Sequence, residues 1–264
     1  VTGLGFVGAG RMGTPMVERL IARGHEVRVL ARSAGRADAL AAAGATPVGS
    51  VAEVGDGAET VLVCVFDDAQ VREVCLGGDL TAAMGGGSVL VVHTTGSPRT
   101  VEEIAARGVT VVDAPVSGGP HDIAAGRLTL FAGGTDGAVA RVRPVLAAYG
   151  DPVLHVGGLG AGQRVKLVNN ALFAAHIGLL GDAVRLAGQL GVAEAALLAA
   201  LPHGSAASRA LAGAAARGSV EGFSAAVRDF LGKDVAVARE VAADLGGDLG
   251  ALGPAIDAAV TEAA

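Results

Sequence analysis

Lys166, Asn169 and Asn170 crowd the end of Gly157-Gly-Leu-Gly-Ala-Gly-Gln-Arg-Val-Lys-Leu-Val-Asn-Asn170, just before a long apolar stretch. On a helix, Lys166 and Asn170 are offset by about 40° and share one face, while Asn169 lies about 60° the other way. A half-buried lysine can tune its pKa and give a proton to a carbonyl oxygen as a hydride arrives. An asparagine one turn on can orient the same oxygen. A solvated lysine with polar neighbours at a frayed helix start has the same pattern, and periodicity does not separate the two.

Two further stretches carry chemistry. Gly8-Ala-Gly-Arg-Met-Gly13 is a GxGxxG between an apolar strand and a helix, with a second strand completing a βαβ unit. Gly8 allows a tight turn, Gly10 lets backbone N–H groups approach a pyrophosphate, and Gly13 allows close helix–strand packing. The positive helix end then faces the phosphates. An ordinary strand-to-helix turn would use the same letters, but this context favours a dinucleotide. After the second strand an NAD site wants Asp or Glu for the ribose hydroxyls. Here Leu30-Ala-Arg-Ser33 puts Ala31 at that place. Arg32 and Ser33, with Arg36 nearby, suit a 2′-phosphate, so NADP is expected before NAD. Asp113-Ala-Pro-Val-Ser-Gly-Gly-Pro120 follows another apolar strand. Its Gly-Gly pair beside a hydroxyl can present N–H groups to a carboxylate, or can simply be a turn.

The elements that must position these residues fall into two regimes. Over the first 155 or so residues, strand-like runs (3–8, 26–30, 61–66, 88–92, 109–112, 128–132) alternate with helix-like runs (14–23, 37–43, 69–76, 99–106, 138–148). This implies right-handed crossovers and a largely parallel sheet, apolar on both faces. After Gly162 no strand pattern remains. One helix is expected from about Gln163 to Leu190, then others near 194–201, 205–216, 227–245 and 254–263. Val165, Val168, Leu172 and Leu179 make one apolar face of the long helix, and Ile177, Leu180 and Val184 another, so it is buried or shared between domains or subunits. The expected fold is α/β: a Rossmann-type doubly wound sheet over residues 1–160, then a long interdomain helix and an all-α domain over 161–264.

The 264 residues are 51% hydrophobic and 17% charged, which excludes a disordered chain. Aromatic residues are 3% with no Trp, so alanine and valine must fill the core. A net charge of −6 without a basic run argues against nucleic acid or an anionic membrane as partner. No uninterrupted apolar run approaches the ~20 residues of a membrane span. The apolar first ten residues lack the flanks of a signal peptide. Cys64 and Cys75 are the only cysteines, and they suggest neither a disulfide nor a metal site. The cytoplasm is the expected compartment.

The four motifs, in order, resemble the β-hydroxyacid dehydrogenase family, which includes 3-hydroxyisobutyrate dehydrogenase, tartronate semialdehyde reductase, the glyoxylate/succinic semialdehyde reductases and, more distantly, 6-phosphogluconate dehydrogenase. Residues 3–16 resemble its cofactor signature. Asp113 to Gly119 with Gly126-Arg-Leu128 resembles its substrate segment, and Gly157 to Asn170 its catalytic segment. Phe230-Leu-Gly-Lys-Asp234 resembles its late Lys-Asp pair. The resemblance implies an NADP-dependent oxidoreductase that interconverts a small β-hydroxy acid and its semialdehyde, with Lys166 as general acid/base. It implies that Asn170 holds the substrate beside Lys166, and that Ser117, Gly118 and Gly119 bind its carboxylate. It assigns the cofactor to Gly8, Ala9, Gly10, Arg11, Met12, Gly13, Arg32, Ser33, Val65, Phe66, Gln70, Thr95 and Lys233, with Met12 against the nicotinamide. No metal is implied, and a homodimer or homotetramer is expected.

The sequence also departs from that family. Thr94-Thr95 replaces the usual Ser-Thr, His93 stands where an acid is frequent, and Asp182 lies where a Glu is common. His121 is a candidate substrate contact, and His176 reads as a core histidine. Two other readings stay open: an imine-reductase-like enzyme on the same fold, for which Lys166 is unexpected, and a non-catalytic NADPH-binding module.

Overall fold

The structure is a computed structural model and describes residues 3–260. The chain divides into two compact units, one up to Lys166 and one from Leu167.

In the first unit the described residues form a nine-stranded sheet. Its strands are β1 (Gly3–Val7), β2 (Glu26–Leu30), β3 (Thr46–Val48), β4 (Thr60–Val63), β5 (Val89–Val92), β6 (Thr110–Asp113), β7 (Val116–Ser117), β8 (Leu128–Gly133) and β9 (Gly150–Gly157). The order is β3-β2-β1-β4-β5-β6-β8-β7, with β9 paired to β8. The strands from β1 to β6 are parallel. The central strands β4 and β5 are buried along their whole length, because valine and leucine alternate between two covered faces. Leu62, Val89 and Val91 join one core layer with Phe6, Met16 and Tyr149. Val61, Val63, Leu90 and Val92 join the opposite layer with Val54, Val101 and Ile104.

Among the described residues eight α-helices belong wholly to this unit: α1 (Gly13–Ala22), α2 (Ala34–Ala42), α3 (Val51–Gly55), α4 (Asp68–Arg72), which runs on into a π-helical turn (Glu73–Gly77), α5 (Leu80–Ala83), α6 (Pro98–Ala105), α7 (Pro120–Ala124) and α8 (Asp136–Leu146). Local chemistry sets several of their starts. Ser33, Ser50, Asp67, Ser97 and Thr135 each cap a helix through a side-chain oxygen that accepts a backbone N–H.

The sheet departs from a parallel one after β6. Strand β8 runs antiparallel to both β6 and β7. A parallel return needs a crossover long enough to bring the chain back along the strand. The five-residue α7 spans about 8 Å, against about 13 Å for a four-residue strand. Sequence periodicity also passes over β3, β7 and β9. Strand β9 carries a Pro and shows an irregular, mostly exposed burial pattern, so it has no clean alternation.

Helix α9 (Ala161–Gln189) is continuous across the unit boundary. The second unit adds α10 (Glu194–Ala200), α11 (Arg209–Arg217), α12 (Val220–Asp244) and α13 (Leu252–Val260). Its core joins Ala171, Ala174, Ala175 and Ile177 of α9 to Ala210, Leu231, Val235 and Ile256. Gly178 permits the close approach of α13: a Cβ there would lie 1.8 Å from the Ala255 carbonyl oxygen. Phe173 and Phe223 meet edge to face, 6.1 Å apart. Helix α12 begins seven residues before the expected 227, because Ser219 accepts the Gly222 N–H and starts the helix there. The expected end of the last helix, beyond 260, lies outside the described residues.

Among the described residues α9 alone is long and apolar enough to cross a membrane by length and composition, with a mean hydropathy of 1.3. It holds no uninterrupted apolar run of that length, because Lys166, Asp182 and Arg185 interrupt it. Its small-residue face forms the core of its unit.

Candidate active site

The glycine loop between β1 and α1 has the backbone that a dinucleotide site needs. Gly8 has φ +99°, and a Cβ on it would lie 2.2 Å from the Cys64 carbonyl oxygen. A Cβ on Gly13 would lie 2.2 Å from the Gly8 carbonyl oxygen and 2.8 Å from Phe6. Gly10 is exposed and faces open space. The loop thus leaves room for a ligand at Gly10 and closes up at Gly8 and Gly13. The Ala9 carbonyl oxygen accepts from the Thr14 hydroxyl at 2.9 Å. Arg11 is exposed, and Met12 packs at the edge of the core.

Ala31, Arg32 and Ser33 line a shallow pocket of about 370 Å³ with Pro47, Val48 and Gly49. Arg32 is exposed there. Arg36, the second cation named from sequence for the 2′-phosphate, folds back on the glycine loop. It donates to the Ala9 carbonyl oxygen and, at 2.6 Å, to the Thr14 hydroxyl. Its guanidinium braces the loop, a role invisible without the fold.

Beyond the end of β4, the Val65 N–H donates to the Thr94 hydroxyl, which donates to the Val65 carbonyl oxygen, both at 3.0 Å. The Phe66 N–H donates to Gln70 Oε1 at 3.0 Å, and the Phe66 ring is 59% exposed. Val65, Phe66, Gln70 and the residues beside Thr95 are therefore one bonded cluster at the strand ends.

His93 is buried against Tyr149. Its Nδ1 lies 2.7 Å from the Ala114 carbonyl oxygen and its Nε2 2.8 Å from the Tyr149 hydroxyl. A carbonyl only accepts, so Nδ1 carries the proton and Nε2 accepts from Tyr149. Burial pushes the His93 pKa down to about 4, so the ring is neutral at ordinary pH. Burial raises both cysteine thiols to about 12, which leaves Cys64 and Cys75 inert.

Sequence reading gave Asp113 no role of its own. Its buried carboxylate accepts the Gly160 N–H through Oδ1 and the Gln163 N–H through Oδ2, both at 2.7 Å. It therefore caps the first turn of α9, the helix that carries Lys166. Burial raises the Asp113 pKa, and the Gln163 and Gly160 donors oppose that shift. Gly162 makes the approach possible, since a Cβ there would lie 2.2 Å from the Phe131 carbonyl oxygen and 2.8 Å from Asp113. Lys166 is 8% exposed. That burial sets aside a solvated lysine at a frayed helix start.

The substrate segment is only partly as expected. Ser117 ends β7, and Gly118 has φ +133°. The Gly119 N–H, expected to meet a substrate carboxylate, instead donates to Asp122 Oδ2 at 2.8 Å. An aspartate three residues on reaches back to the residue before α7, so a carboxylate of the chain itself takes that donor. Asp122 also pairs with the exposed His121 at 3.2 Å.

In the second unit Asn170 is 2% exposed. Its Nδ2 donates to Asp234 Oδ2 at 2.5 Å, and its Oδ1 accepts from Asn169 Nδ2 at 2.9 Å. Lys233 Nζ pairs with the other Asp234 oxygen. Asp234 is thus the hub that joins Asn170 and Lys233. His176 is half-buried, as a helix-packing histidine would be. Among the described residues no group of three or more His, Cys, Asp or Glu is placed to hold a metal ion.

One further fact of the sequence stands out against this geometry. Lys166 and Lys233 are its only lysines, and the other eighteen cationic residues are arginines. Lysine gives up its proton near neutral pH when its surroundings ask for it, and arginine does not.

Residues 3–158 match the family described as the NAD binding domain of 6-phosphogluconate dehydrogenase. Residues 160–259 match the NAD-binding domain of NADP-dependent 3-hydroxyisobutyrate dehydrogenase. The chain is 35% identical to 3-hydroxyisobutyrate dehydrogenase of Pseudomonas aeruginosa over 202 residues, which are 75% of this chain and 68% of that protein. It is 33% identical to 2-hydroxy-3-oxopropionate reductase of Escherichia coli over 79% of this chain and 73% of that protein. The structure of 3-hydroxyisobutyrate dehydrogenase from Mycobacterium tuberculosis with L-serine superposes with a TM-score of 0.85 at 26% identity, over 97% of this chain and 92% of that one. The glycine loop, the capped lysine helix and these matches agree: the chain belongs to the β-hydroxyacid dehydrogenase family, whose members are NAD(P)-dependent oxidoreductases acting on CH–OH groups.

Proposed function

We propose that the protein is an NADP-dependent oxidoreductase that interconverts a small β-hydroxy acid and its semialdehyde, with Lys166 as general acid/base. The observation that carries this reading is the buried Lys166, one of only two lysines, one helical turn from the buried Asn170. The glycine loop fits a dinucleotide, because Gly10 faces open space where a pyrophosphate would lie. Ala31 offers no carboxylate to a ribose, whereas Arg32 and Ser33 line a pocket that suits a 2′-phosphate.

When bound, the cofactor supplies or accepts the hydride. In reduction Lys166 Nζ gives a proton to the carbonyl oxygen, and in oxidation it takes the proton from the hydroxyl. Asp234 and Asn169 fix which way the Asn170 amide points. Its second Nδ2–H is then the donor for the substrate oxygen. Ser117 Oγ and the Gly118 N–H hold the substrate carboxylate, without the Gly119 N–H. Val65, Phe66, Gln70, Thr95 and Lys233 complete the cofactor contacts by resemblance to the family. Orientation and charge placement supply most of the rate.

The exposed side of α9 supports self-association. Val165, Val168, Leu172, Leu179 and Leu186 are between 37% and 66% exposed, and they fall within about 60° of the helix circumference. A homodimer or homotetramer would cover this stripe.

The test is NADPH and NADH consumption on glyoxylate, succinic semialdehyde, tartronate semialdehyde and methylmalonate semialdehyde, with cyclic imines alongside. Turnover on a semialdehyde with NADPH is expected. Turnover on imines alone would make the protein an imine reductase. NADPH binding without turnover on any compound would make it a binding module.

A further inference from the structure

Gln163 is 1% exposed and uses both ends of its amide. Its Nε2 donates to the Thr94 carbonyl oxygen at 2.8 Å, and its Oε1 accepts the Gly96 N–H at 3.0 Å. These two backbone groups flank Thr95. The side-chain amide therefore pairs with the chain around Thr95 as a residue of a parallel neighbouring strand would. The backbone of the same glutamine is held from the other side, where its N–H donates to Asp113 Oδ2 at 2.7 Å. Lys166 follows three residues later on this helix, about 4.5 Å along its axis.

We propose that Gln163, clamped by Asp113, is a positioning residue that sets the distance between Lys166 and the backbone at Thr95. A helix start held by β6 alone, through Asp113 to the Gly160 and Gln163 N–H groups, could still pivot about the line joining those two atoms. The Gln163 amide adds two bonds to a different strand end, which removes that remaining rotation. Glutamine is required on chemical grounds. Glutamate could accept from Gly96 but would face the Thr94 carbonyl with a second acceptor. A methionine of similar length would leave a buried N–H and a buried C=O unpaired. Thr94 extends the chain of bonds to Val65, so the strand ends proposed to meet the cofactor and the lysine proposed to move the proton share one rigid frame.

The inference rests on the reading of Lys166 given above, so its test needs one readout that does not depend on turnover. With two lysines in the chain, lysine labelled with ¹³C at Cε gives two side-chain NMR signals, assigned with Lys233→Arg. In Gln163→Met the Lys166 signal is expected to shift and broaden while that of Lys233 stays. Turnover on the best substrate of the panel is expected to fall at least tenfold. NADPH affinity by fluorescence titration and the substrate KM should stay within about threefold. Gln163→Asn, one methylene shorter, should show the same pattern to a smaller degree, and it carries the test if the methionine variant does not fold. An unmoved Lys166 signal in a folded variant overturns the proposal. So does a loss that resides in Tm and NADPH affinity, with turnover per folded site intact. A shifted signal in a protein that turns over no carbonyl would keep the clamp and remove the proposed reaction.

Discussion

Asn170 donates to Asp234 at 2.5 Å, and neither residue is more than 3% exposed. A buried carboxylate without partners is costly, and here Asn170 and Lys233 satisfy one oxygen each. Asp234→Ala removes the partner of both, and breaking such a pair costs roughly 3 kcal/mol. A fall of several degrees in Tm by circular dichroism is expected. Asp234→Asn keeps the shape and loses the charge, so Tm should fall less, while turnover falls about tenfold or more because the Asn170 amide is free to flip. Equal turnover in Asp234→Asn and wild type would separate Asp234 from the chemistry.

Lys166→Ala should cut turnover by about 10² to 10⁴, the range for a lost general acid, while NADPH still binds. Lys166→Arg should be nearly as inactive, since arginine keeps its proton. Steady-state rates and fluorescence titration of NADPH check both. Activity in the arginine variant within a few-fold of wild type would assign Lys166 to charge placement alone.

The cofactor preference should lie in Arg32 and Ser33. Hydrogen bonds from charged groups contribute about 1.5–3 kcal/mol, so Arg32→Ala should raise KM for NADPH about tenfold or more and leave KM for NADH nearly unchanged. Ala31→Asp combined with Arg32→Ala should reverse the preference. The ratio of kcat/KM for the two cofactors is the measurement.

His93 makes stability depend on pH. Its folded pKa, about 4, lies below the unfolded value of about 6.5, so between these values the unfolded chain binds more protons. Stability is therefore full above about pH 6.5 and falls as pH drops toward 4, by on the order of 3 kcal/mol in all. Asp113, raised by burial, works in the opposite direction. The His93 contribution is accordingly read as the difference between wild type and His93→Gln in urea unfolding at pH 7.5 and pH 4.5. The variant should show the shallower loss on acidification.

Self-association through α9 should depend on its exposed stripe. Leu172→Asp with Leu179→Asp places charges within the apolar arc and should shift the mass measured by light scattering to that of a monomer. A wild-type protein that is already monomeric at tens of micromolar would exclude this use of the stripe.

The sequence was legible wherever a short-range rule ties residue type to backbone. The GxGxxG announces its turn because Gly8 must take φ +99° and Gly13 must admit the Gly8 carbonyl. The apolar runs at 61–63 and 89–92 announce buried strands, and the long apolar stretch after Gly162 announces α9. The lysine and asparagine four apart announce a common helix face. What these rules do not reach is pairing across the sheet. Asp113 lies 47 residues from Gly160, and Gln163 lies 67 from Gly96. Nothing local marks a glutamine as the bracket of Thr95 or an arginine at 36 as the brace of the glycine loop. Those bonds exist only after the sheet has brought its strand ends together. From its residue types and spacing the sequence determined the elements and the identity of the reactive groups. Tertiary structure decided the burial of Lys166, and with it the difference between a surface charge and a proton donor, because burial depends on what the rest of the chain places around a side chain.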